Sequence, residues 1–263
     1  MGELLTISPP LQALLAGLVT WGLTALGAAM VLMIRRPHPV ALDAMLAFGA
    51  GVMLAASFFS LLAPAVELAE TLRQSIAPLA LGFLLGGLLL LIADALLAVR
   101  LSTAGNMTDT KRRNALLIAA ITVHNIPEGL AIGVAFGALA SHPTPAGAMA
   151  AWMLALGIAL QNFPEGAAVS LPLRRDGMSR AHAFFWGQAS ALVEPAAAVV
   201  GAVLALAVQA LLPAALSFAA GAMVVVVIAE LIPESQQNRF PMLMAFWTML
   251  GFTAMMILDL ALG

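Results

Sequence analysis

Two six-residue segments carry polar side chains into otherwise apolar surroundings: His124-Asn125-Ile126-Pro127-Glu128-Gly129 and, 37 residues later, Gln161-Asn162-Phe163-Pro164-Glu165-Gly166. On a helix, residues four and three apart share a face, so His124, Asn125 and Glu128 point one way, and Gln161, Asn162 and Glu165 do the same. Pro127 and Pro164 remove one amide donor each, freeing the carbonyls of Val123 and Leu160 and favouring a kink. The glycine after each glutamate permits close helix approach, so the two helices could face each other with their carboxylates bridging a cation.

Imidazole, carboxylates, carboxamides and a nearby thioether, Met53, form a borderline donor set suited to Zn²⁺, with Fe²⁺, Mn²⁺, Co²⁺ and Cd²⁺ as competitors. The set is too nitrogen-rich and soft for a dedicated Ca²⁺ or Mg²⁺ cage. Glu194, in Leu192-Val193-Glu194-Pro195, adds a third buried acid, and three such carboxylates need cations or protons close by.

The elements that must position these groups are membrane helices. The chain is 62% hydrophobic and 9% charged, with a mean hydropathy of +1.03, which describes a polytopic all-α protein with the lipid bilayer as its solvent. Apolar stretches near the length of a bilayer core occur at about 10–34, 41–65, 75–99, 114–140, 145–172, 181–209, 212–235 and 241–262. Eight spans in one transmembrane domain covering residues 1–263 put both termini on the same side. The N-terminus lacks a basic region and small-residue cleavage site, so the first stretch is expected to remain as a helix. Cysteine is absent, which leaves no thiolate ligands.

Arg35, Arg36, Arg100, Lys111, Arg112, Arg113, Arg174, Arg175, Arg180 and Arg239, ten of the 11 basic residues, fall in the loops after spans one, three, five and seven; only Arg73 lies elsewhere. The positive-inside rule then makes those loops cytoplasmic and the termini external, as in a protein of the cell's inner (plasma) membrane. At 1.5 Å per residue, His124 sits ~16 Å above the cytoplasmic start of span four, and Glu128, Gln161, Glu165, Glu194 and Met53 also fall near the membrane's middle third.

Several function classes are disfavoured. No basic run with interleaved aromatics suggests nucleic acid, and no GxxxxGK[ST] loop suggests a nucleotide or an ATP-driven pump. An intramembrane metal-dependent hydrolase is the alternative to a transporter, but HNIPE has no second histidine one turn on, as HExxH would. The motif runs upward in one span and downward in the next with three spans on each side, a 3+2+3 inverted repeat of the kind found in alternating-access carriers. Gly82 and Gly86 form a GxxxG in span three that could serve a homodimer or internal packing.

From about residue 41 onward the chain resembles the ZIP (Zrt/Irt-like) divalent metal transporters, and within them a bacterial GufA-like branch. The resemblance rests on the HNxPEG and QNxPEG motifs, the Glu194-Pro195 step and the eight-span layout with external termini. It implies a carrier moving zinc or a similar ion into the cytoplasm, with no organic cofactor. It also implies a primary site of His124, Glu128, Gln161, Glu165 and Met53, and a second site of Asn125, Asn162 and Glu194 sharing Glu128 and Glu165. Ser60 and Glu67 match the family's entrance, and Asp94, Glu230 and Glu234 its release side. Two features depart from family patterns. Asn162 stands where some relatives have Asp, removing a charge from the second site; the 100–113 loop has no histidine, so metal capture there is not expected.

Some of these residues have plainer readings. A histidine in an apolar helix is more often structural, and His124 escapes that reading because Asn125 and Glu128 share its face and the motif recurs. Met53 is one of 15 methionines and by type alone is a packing residue. Asp94, Glu230 and Glu234 could be interfacial charges, and His38, His142 and His182 lie at span ends facing water.

Overall fold

A computed structural model describes residues 7–34, 38–102, 108–139, 143–207 and 209–262; Arg35, Arg36 and His142 lie outside them. The described residues contain eight helical spans long and apolar enough to cross a membrane. Span one is Pro9–Met33, span three Ala77–Ser102, span four Asp109–Ala138, span five Pro145–Arg175 and span eight Pro241–Leu262. Pro9, Pro39, Pro145 and Pro241 open helices where the amide is dispensable, and the Thr108, Thr144 and Ser179 hydroxyls accept from backbone amides at three starts.

The other three spans are interrupted, each at a proline. Span two runs Pro39–Ala56, widens to a π turn over Ser57–Leu62 and continues as Ala63–Thr71. Span seven runs Leu212–Val226, widens over Val227–Leu231 and ends as Ile232–Ser235. A proline ring clashes with the carbonyl four residues back, and in both spans the ladder shifts by one residue to avoid it. The Ala63 amide reaches Phe58 O just before Pro64, and the Ile232 amide reaches Val227 O just before Pro233. Span six breaks between Arg180–Ala189 and Val193–Ala207, ahead of Pro195. Through Pro127 and Pro164 the helices continue without a break.

Glycines show which spans are locked together. A Cβ on Gly27 would overlap the Phe163 carbonyl, and one on Gly166 the Thr24 carbonyl, so spans one and five touch backbone to backbone. Gly129 and Gly133 press spans four and six together in the same way, against the Glu194 and Ala198 carbonyls. The glycines after the motif glutamates therefore do bring helices close, but against spans six and one rather than against each other. Spans two and eight are joined at Gly51 and Gly251, and spans three and seven at Gly86 and Gly221. Gly82 faces the Ala214 carbonyl, so both glycines of the GxxxG are used inside the protomer.

Two groups result, spans one, four, five and six against spans two, three, seven and eight. Between them the glycine contacts are of another kind. A Cβ on Gly49 would sit 3.6 Å from the Gln161 Cβ, ordinary van der Waals distance, and Gly157 meets the flexible thioether of Met255. At these two glycines the first atoms met across the seam are side-chain atoms rather than carbonyls.

Candidate metal site

Both motif copies lie inside the first group, with seven polar side chains sealed from the surface. Asn125, Glu128, Asn162 and Glu194 are 0% exposed, Gln161 1%, His124 2% and Glu165 5%. Gln161 Nε2 donates to Glu128 Oε1, joining spans four and five. Asn162 Nδ2 donates to both carboxylate oxygens of Glu194, at 2.8 Å each, joining spans five and six. The Thr20 hydroxyl of span one lies beside that carboxylate.

Asn125 reaches a different kind of partner, and the break in span six explains it. The Glu194 amide bonds the Ala191 carbonyl three residues back instead of the fourth, which leaves Ser190 O free. Asn125 Nδ2 donates to that carbonyl at 3.0 Å. Pro195 thus creates an acceptor at membrane depth, and Asn125 satisfies it.

Glu128, Glu165 and Glu194 lie within electrostatic range of one another. No lysine or arginine is among the buried polar residues described. Glu128 Oε2, Gln161 Oε1, Asn125 Oδ1 and His124 Nδ1 are buried with no hydrogen-bond partner. Buried acceptors of this kind cost roughly 1–3 kcal/mol each when unsatisfied, so the group has strong reason to take a cation. Oxygen and imidazole nitrogen are the donors Zn²⁺ and similar dications accept.

The close contacts of the His124 ring are with spans three and seven. Its Nε2 lies 2.8 Å from Glu230 Oε1 and 3.7 Å from Asp94 Oδ2. Asp94, His124 and Glu230 place one ligand atom each within 4.8 Å of the others, a spacing that could hold a metal ion. Glu165 feels both His124 and Glu230, so the centre and this cluster are electrostatically continuous. Glu230 is carried on the π turn of span seven, and a cavity of about 350 Å³ beside Asp94 and Glu230 opens between spans three, four and seven.

The remaining expected residues are distributed less tightly. Met53, 1% exposed, lies one turn from Gly49 on the face of span two that meets Gln161. Ser60, on the π turn of span two, donates to Asp259 at 2.8 and 3.0 Å. Glu67 is exposed two turns further along and takes no part in that pair, while Glu234 is exposed one turn beyond Glu230 and accepts from Gln237 at 3.0 Å. Sequence reading passed over Asp259, Thr20 and Ser190. Asp259 carried a signal, as an acid within the last apolar span, whereas nothing in type or spacing distinguished the other two.

A family model described as ZIP Zinc transporter matches residues 98–259. The chain is 40% identical to "Zinc transporter ZIP11" of Xenopus tropicalis over 97% of its own length and 98% of that protein. The chain belongs to the ZIP family. It is also 38% identical to "Zinc transporter GufA" of Myxococcus xanthus, covering 95% of this chain and 98% of the relative. "Zinc transporter ZIPB" of Bordetella bronchiseptica is 38% identical over 95% of this chain and 81% of that protein. ZIP proteins are transporters rather than enzymes, and the hydrolase alternative finds no support among these relatives.

Proposed function

We propose that this protein is a zinc transporter that moves the ion through the membrane by alternating access, with cytoplasmic delivery. The observation that carries this reading is the set of three carboxylates, Glu128, Glu165 and Glu194, sealed at membrane depth with no lysine or arginine among the described buried residues, beside the Asp94–His124–Glu230 cluster. Intramembrane acids without a basic partner mark an ion path. The donor set also admits Cd²⁺, Fe²⁺, Mn²⁺ and Co²⁺, and each is a substrate of the same class.

The distribution of Arg and Lys supports an orientation with both termini outside and the Asp94–Glu230 end in the cytoplasm, in the cell's inner membrane. In that frame Ser60 and Asp259 flank the external approach and Asp94 and Glu230 the exit. Zinc would replace its water with Glu128, Glu165, Gln161 and His124, the carboxamides rotating from N–H donation to offer their oxygens. The backbone-locked halves and the softer seam between them support a shift of one group against the other, which would expose the centre to each side in turn. The π turns before Pro64 and Pro233, in the second and seventh of eight spans, support the inverted 3+2+3 arrangement.

Uptake of radioactive zinc into proteoliposomes tests the proposal. The parent protein should accumulate zinc above empty vesicles, and Glu128→Ala with Glu165→Ala should abolish the excess. Equal uptake by parent and double variant would end the assignment.

A further inference from the structure

The cavity beside Asp94 and Glu230 has a third charged wall, Arg113, near the start of span four. An arginine in a release path for dications is a problem. It is always charged, and its planar fork would pair with either carboxylate in competition with departing metal. The structure shows what occupies it. Arg113 Nη2 lies 2.7 Å from Asp176 Oδ2, at the end of span five, and the Asp176 side chain is only 9% exposed.

Asp176 is fixed in place by the local sequence Arg174-Arg175-Asp176-Gly177. Gly177 has φ +96°, a conformation that ends a helix and strongly favours glycine. The Gly177 amide bonds Arg174 O and the Met178 amide reaches back to Leu173 O, both at 3.1 Å. Arg174 Nη1 donates to Met178 O at 3.0 Å and closes the turn. Arg175 Nε stands 3.8 Å from the other Asp176 oxygen, so this one carboxylate serves two guanidiniums.

Arg113 and Asp176 sit on spans four and five, in one locked group, whereas Asp94 and Glu230 sit on spans three and seven, in the other. Relative movement of the groups would change the distance from Arg113 to the two acids without changing its distance to Asp176. We propose that Asp176 is a positioning residue for metal release: it holds the Arg113 guanidinium away from Asp94 and Glu230, leaving those carboxylates to the outgoing cation. The inference rests on the transport reading above, since it assigns a purpose to pairing the guanidinium that lines this cavity.

The test is a double-mutant cycle of zinc uptake in proteoliposomes, with protein amount and melting temperature measured for each variant. Asp176→Asn should lower the maximal rate about three- to tenfold, within the range of coupling between contacting residues, while the external KM changes little. Asp176→Glu keeps the carboxylate and should stay near the parent rate. Arg113→Ala alone should run at or above the parent rate, and Arg113→Ala with Asp176→Asn should match Arg113→Ala. A double variant as slow as Asp176→Asn would overturn the inference, because the harm would not come through the guanidinium. If Asp176→Asn does not reach the membrane, Arg113→Gln decides: a rate at or above parent supports the inference, and a severalfold fall overturns it. Failure of the parent itself to move zinc would strike the transport reading instead.

Discussion

The two motif copies share spacing, proline and glycine, yet their side chains make different kinds of contact. In the second copy, Gln161 and Asn162 both donate to glutamates on neighbouring spans, Glu128 and Glu194, so this copy knits the centre together. In the first, Asn125 caps a free carbonyl and His124 turns outward to Glu230 and Asp94. Identical backbone patterns thus yield one copy that knits the polar centre and one that links it to the Asp94–Glu230 cluster. A duplicated motif establishes which residues share a face; the neighbouring spans decide what each residue does.

Substitution at Glu128, which lies on the first copy and accepts from Gln161 of the second, should have the largest effect. Glu128→Ala should reduce zinc uptake at least roughly 100-fold, since removing one member of a buried charged set costs several kcal/mol. Exchanging the first residues of the copies sharpens the contrast. His124→Gln, which loses the contact with Glu230, should slow uptake about tenfold, whereas Gln161→His should cost less because it keeps a nitrogen donor facing Glu128. Comparable losses in the two variants, measured in the same vesicles, would erase the proposed division of labour.

A smaller effect is expected at the asparagines. Asn162→Asp sets a carboxylate against Glu194 and should lower the metal-free melting temperature, with zinc restoring more of it than in the parent. Asn125→Asp adds its charge beside the uncharged Ser190 carbonyl rather than a carboxylate and should recover less with zinc; thermal melts with and without metal compare the two. At the glycines the copies should converge. Gly129→Ala and Gly166→Ala each force a methyl into a neighbouring carbonyl and should cost about 1–3 kcal/mol, while Gly49→Ala should be nearly neutral.

Much of this was legible in the chain. Runs of apolar residues fixed the eight spans to within a few residues at most ends, because lipid leaves little other choice for such stretches. The helix continues to Thr71 in span two and Arg175 in span five, past the apolar limits, since exposed turns at membrane edges keep helical bonding with polar side chains. The polar faces of spans four and five were equally plain from spacing. What spacing could not supply was the identity of partners across space. The outward turn of His124, the Ser60–Asp259 pair and the packing of Gly129 on span six depend on which helices are neighbours. The π turns are a different case. Pro64 and Pro233 stood in the sequence, but so did Pro127 and Pro164, and only the surrounding packing distinguishes a proline that widens a helix from one that does not.

Those widened turns also alter the angular bookkeeping of their helices. Each extra residue sets back the azimuth of everything beyond it by about 100° relative to an uninterrupted coil. A helical wheel drawn straight through Ser57–Leu62 or Val227–Leu231 would therefore assign the wrong outward stripe to one half of the rod. Deleting a single residue within either segment should restore the regular ladder with both flanks on their present headings, whereas deleting one in the regular helix beside it should swing Glu67 or Glu234 to a new heading.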